Sequence, residues 1–76
     1  MKELVEFLVK SLTDHPDEVL LAEREQEETV HIELKVAEDD VGKVIGKNGN
    51  TINAIRTVLQ AAASSRKKRA KLDVLS

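Results

Sequence analysis

Seventy-six residues with a net charge of −2 and no cysteine leave room for one hydrophobic core and for no disulfide, thiolate nucleophile or cysteine-based zinc site. A domain this small buries only about 60% of its unfolded surface, which favours a compact two-layer fold and makes dimerisation a useful support. The near-neutral sum speaks against a strongly basic nucleic-acid binder, and a lone aromatic residue, Phe7, excludes recognition by aromatic stacking platforms.

The first predicted element is an amphipathic helix. Leu4, Val5, Leu8 and Leu12 recur at the spacing of one face, with Phe7 at its flank. Glu3 and Glu6 sit in its first turns, where negative charge suits the helix dipole. Pro16 is expected to stop it, with His15 at its end. The start Met1-Lys2-Glu3-Leu4 carries an early acid and no long apolar stretch, and no run is long enough to span a bilayer. A soluble, cytoplasmic protein with no membrane partner is expected.

Two strands follow. Val19 to Ala22 is a short apolar run leading into the charged stretch Glu23 to Glu28, read as a wet strand end and hairpin. Val30, Ile32, Leu34 and Val36 then alternate with Thr29, His31, Glu33 and Lys35, so this strand buries one face. From Glu38 the period changes. Asp39 or Asp40 is placed to cap a short helix through Val41, Val44 and Ile45 that Gly46 closes. A longer helix starts after Gly49, with Asn50 or Thr51 as cap and Ile52, Ile55, Leu59 and Ala62 or Ala63 as its core stripe. A basic turn, Ser64 to Arg69, leads to a last strand in which Leu72 and Val74 alternate with Lys71 and Asp73. The order αββααβ on one small sheet predicts a single α+β domain over 1–76, a three-stranded sheet with helices on one face.

Charge divides along the chain. Residues 1–40 hold four Lys/Arg against thirteen Asp/Glu, a net of −9; residues 41–76 hold eight against one, a net of +7. A polyanion responds to the local field and not to the sum, so the second half is where one would bind.

All three glycines of the chain, Gly42, Gly46 and Gly49, lie within eight residues. Gly46 and Gly49 bracket Lys47 and Asn48 between two helices. Glycine admits left-handed backbone angles and puts no Cβ between main chain and ligand. The loop amides, the first turn of the next helix and the positive end of its dipole together suit a phosphate. Lys47 adds a flexible cation.

The stretch Val44-Ile45-Gly46-Lys47-Asn48-Gly49 resembles the VIGxxG signature of KH domains. Gly42 to Arg56, GKVIGKNGNTINAIR, is similar to the short bacterial single-KH family KhpA, whose length and αββααβ order, a type II KH fold, match essentially the whole chain. That resemblance implies single-stranded RNA held in a groove about four nucleotides long, its backbone clamped by the loop. It also implies homodimers and, in some bacteria, pairing with a larger KhpB-type KH protein. A role as post-transcriptional regulator or RNA chaperone is expected. The family commonly has Arg after the second glycine, where this chain has Asn50; weaker, less salt-sensitive binding is the expected consequence.

Lys47 and Asn48 are the first candidates for backbone contact, with Lys43 one turn ahead. Of Val44 and Ile45, one is expected in the core and the other on the groove floor. Asn50, Thr51, Asn53 and Arg56 complete the candidate RNA-binding set with Gly46 and Gly49; Arg56 is placed either to face a phosphate or to pair with an acid of the first half. Ala54, Val58 and Ala61 form a second line on the long helix, a candidate dimer face unless the first helix covers it. Neither histidine has a partner at ligand spacing, so no metal or cofactor is expected. No catalytic constellation is present: the P-loop spacing is wrong and Asn48 stands where its Ser or Thr would follow the lysine. The remaining alternative is a protein-interaction module with weak or lost nucleic-acid binding.

Overall fold

The computed structural model describes residues 1–75. Helix α1 spans Lys2–Leu12 and buries Val5 and Val9. The inward stripe thus differs from the expected one: Leu12 is exposed, as is Phe7, while Val9 completes the face. The helix ends four residues before Pro16, with Thr13 already extended. Pro16 opens a short 3-10 turn, Pro16–Glu18, where its fixed φ is already helical.

Strands β1 (Leu20–Gln26) and β2 (Thr29–Lys35) pair antiparallel from Leu20↔Lys35 to Gln26↔Thr29. The charged stretch read as a wet strand end is therefore regular strand, and only Glu27 and Glu28 turn the hairpin. Strand β3 (Arg69–Leu75) runs parallel to β2, giving a mixed sheet ordered β1-β2-β3. Val30, Ile32 and Leu34 of β2 and Leu72 of β3 are buried on one face. Period-two alternation puts Thr29, His31, Glu33 and Lys35 on the other.

Two further helices complete the α+β fold, α2 (Val41–Ile45) and α3 (Asn50–Ser64). Ile52, Ile55, Leu59 and Ala63 form the buried stripe of α3, and the first three, with Val5 and Val9 of α1, close over the sheet in one core.

Asp40 occupies the N-cap position of α2, yet its side chain makes no cap hydrogen bond. Its two carboxylate oxygens instead accept the main-chain N–H groups of Asp14 (3.1 Å) and His15 (2.9 Å). It is fully buried. The expected helix cap is thus a clamp between α2 and the segment that follows α1.

Candidate nucleic-acid interface

The junction between α2 and α3 is built from backbone angles that side chains resist. Gly46 has φ 76° and ψ 176°, a region open essentially to glycine alone. A Cβ there would collide with the Thr51 side chain and stand 2.9 Å from the Thr51 amide nitrogen. Asn48 (φ 56°, ψ 26°) and Gly49 (φ 77°, ψ 9°) are both left-handed. Asn tolerates that region better than most residues.

These angles decide which amides are available. The Gly46 amide donates to Gly42 O, the Gly49 amide to Gly46 O and the Asn50 amide to Lys47 O. The amides of Lys47 and Asn48 come first in their turn, ahead of any intrahelical acceptor. Both side chains are exposed. The N-cap of α3 is Gly49, with no side-chain cap bond and no acid in the first turn. Asn50 therefore does not cap: it lies inside the helix (φ −62°, ψ −39°) with an exposed side chain. Thr51 does not cap either, its side chain being packed against Gly46. The positive end of this 15-residue helix is thus not offset by an acid of its own first turn.

The remaining candidates divide into three groups. Val44 is fully buried, whereas Ile45 is half-buried beside the loop. Lys43 does not accompany Lys47; its ammonium pairs with Asp14 and lies 3.8 Å from Asp40 Oδ1. Asn53 and Arg56 continue along α3 from Gly49, on a stripe with Gln60 whose four- and three-residue steps mark one helix face.

That stripe leads into a cleft of about 550 Å³ between α3 and β3, lined by Arg56, Thr57, Leu59, Gln60 and the strand residues Ala70 to Asp73. Here β3 is an edge strand, so alternate main-chain groups face away from the sheet. Arg56 donates from Nε and Nη2 to Leu72 O (3.2 and 3.0 Å). Gln60 Oε1 accepts the Ala70 amide at 3.0 Å. Arg56 thus pairs with no acid of the first half among the described residues; it anchors one wall of the cleft to the other. Nothing in the sequence signals that Gln60, Ala70 and Leu72 line a cleft, because an edge-strand assignment needs the strand order, which no local pattern encodes.

Ala54, Val58 and Ala61 are all exposed, Val58 at 46%, so α1 does not cover them. The basic turn is partly neutralised: Lys68 pairs with Glu25, and this hydrogen bond holds the Glu25 carboxyl below the usual carboxylate range.

The KhpA/KhpB KH-domain family model matches residues 2–74. The chain belongs to that family. Its relatives include proteins named RNA-binding protein KhpA from Halalkalibacterium halodurans, 49% identical over 99% of both chains, and from Clostridium acetobutylicum, 49% identical over 99% of this chain and 100% of that one. A third, from Chlamydia pneumoniae, is 44% identical over 99% and 96%. No solved structure matches the chain. The three-stranded sheet with three helices is the α+β architecture of that domain. KhpA/KhpB membership places the chain among binding proteins of bacterial type and not among enzymes.

Proposed function

We propose that this chain is a cytoplasmic protein that holds about four nucleotides of single-stranded RNA beside the Gly46–Gly49 loop. The observation that carries this reading is the juxtaposition of the Lys47 and Asn48 amides, which have no acceptor among the described residues, with an α3 N-terminus that has no acid in its first turn. A phosphate seated there meets main-chain donors, the helix dipole and the Lys47 ammonium together. Asn50, Thr51 and Asn53 border that seat, and half-buried Ile45 offers aliphatic floor. Bases then follow the Asn53–Arg56–Gln60 stripe into the cleft against β3. The names of the relatives support RNA as the ligand.

Without aromatic platforms, affinity rests on backbone contacts and aliphatic surface, so modest sequence preference and micromolar affinity follow. Regulation after transcription, or an RNA chaperone role, suits such a binder. The exposed Ala54–Val58–Ala61 line supports a homodimer through α3, or a heterodimer with a larger KhpB-type protein, because small residues let two helices approach closely.

The deciding experiment is the double substitution Lys47→Asp with Asn48→Asp. Asp tolerates the left-handed angle of position 48, so the circular-dichroism spectrum should be unchanged. Fluorescence anisotropy with a short single-stranded RNA should show at least tenfold weaker binding. Unaltered affinity in the folded variant would place the RNA on another surface.

A further inference from the structure

The outer face of the sheet carries a second charged feature that neither the loop nor the cleft uses. Strand register sets Arg24 opposite His31, and His31 opposite Lys71, so the three form one row across all three strands. The adjacent row toward the hairpin is Gln26, Thr29 and Arg69. All six lie on the face opposite Val30, Ile32 and Leu34, since facing residues in a ladder share a side. The two rows hold three permanent cations, one histidine and two neutral hydrogen-bonding side chains, and no carboxylate. Strands stand about 4.8 Å apart, so the block spans roughly 10 Å across the sheet.

Arg24, Arg69 and Lys71 are exposed, and none of them has an ion-pair partner among the described residues. Three lysines outside the block do pair, Lys10 with Glu6, Lys43 with Asp14 and Lys68 with Glu25. No two of the block's cations face each other directly, since His31 stands between Arg24 and Lys71 and Thr29 faces Arg69, but they share one face without a carboxylate among them. The nearest acids of this face, Glu33 and Asp73, form the next row together with Ala22, and Glu27 and Glu28 lie at the hairpin tip. The basic block is thus bounded by negative charge at both ends. A bound polyanion would be confined to a path across the strands.

Lys71 belongs both to this block and to the lining of the α3–β3 cleft. The two surfaces are therefore continuous around the free edge of β3. We propose that nucleotides flanking the four held in the cleft pass over that edge and lay their phosphates across Arg24, Arg69 and Lys71, with Gln26, Thr29 and His31 as hydrogen-bonding partners. This rests on the cleft reading and extends it. The site takes phosphodiester backbone without base readout, because a flat row of cations addresses only the charge that every nucleotide shares. RNA longer than the cleft should then bind more tightly and with a steeper salt dependence.

The test compares a four-nucleotide with a twelve-nucleotide single-stranded RNA of mixed sequence. The protein is the full chain or its Arg24→Gln, Arg69→Gln double variant, with Lys35→Gln on the same face as control. Both arginines are exposed and outside the cleft, so the variant keeps its fold and its affinity for the four-mer. Its affinity for the twelve-mer should fall several-fold. The slope of log K against log salt should flatten by about 1.4, two lost phosphate contacts at roughly 0.7 each for a single strand. The Lys35→Gln control should change neither. A twelve-mer that binds the parent no better than the four-mer, or that is indifferent to the double variant, overturns this surface and leaves the cleft intact. If neither RNA binds the parent chain, the cleft reading falls with it. Retention of a polyanionic protein in place of the longer RNA, with the same arginine dependence, also overturns the assignment.

Discussion

Three glycines sit within eight residues, and each stands there for a different reason. Gly46 has angles only glycine adopts and no room for a Cβ; Gly49 is left-handed but meets only Asn53 Nδ2 at 3.7 Å; Gly42 lies in α2 with nothing within 4 Å. Gly42→Ala should therefore stabilise the fold by about 0.5–1 kcal/mol, the helix-propensity difference. That would raise the melting temperature by a few degrees in a domain this small. Gly46→Ala should do the opposite, costing about 1–3 kcal/mol in backbone strain alone, before the conflict with Thr51. Calorimetric melts of the two variants check both signs. The sequence revealed that glycines cluster and that a G-x-x-G loop joins two helices. It did not separate their roles, because propensity is blind to which φ each position adopts.

Among the elements, β2 and α3 were the most legible. Val30, Ile32 and Leu34 repeat with period two and Ile52, Ile55 and Leu59 with helical period, and burial dictates both patterns. Boundaries were less so: β1 continues through Glu23–Gln26, where pairing with β2 overrides a charged sequence. Caps were misread for a physical reason. An Asp before a helix can serve the helix or a passing chain, and Asp40 serves the chain that follows α1. Asp40→Ala would leave the amides of Asp14 and His15 without their acceptors and release Lys43's nearby counter-charge. A loss of about 1–3 kcal/mol is expected in denaturant titration. The loop Gly46–Gly49 should keep its conformation, since its hydrogen bonds run to Gly42 O and within the loop and none involves Asp40.

For the molecule as a whole, the charge split of the two halves survives folding only in part. Lys43 and Lys68 are drawn back to acids of the first half, while Lys47 at the loop and Arg24, Arg69 and Lys71 on the sheet have no ion-pair partner among the described residues. Which cations pair depends on how the elements pack and on strand register, so the effective field is not readable from the one-dimensional split. The exposed α3 line gives the matching prediction for assembly. Val58→Glu places a charge where Val58 is 46% exposed, so the fold should tolerate it. Sedimentation should report a folded monomer in place of a dimer, with the charge penalty borne by the interface alone. A variant that sediments as the parent does would move the dimer contact off α3.

The parallel pairing of β2 with β3 joins Thr29 to Arg69 across α2 and α3. Such ladders impose a long loop closure before they return any hydrogen bonds. A nascent chain that has reached Ser64 possesses every helix and the hairpin, yet lacks Leu72 and the strand that carries it. Docking of β3 is therefore a late commitment in folding: the α3–β3 cleft, having that strand for one wall, comes into being in the same event that completes the core.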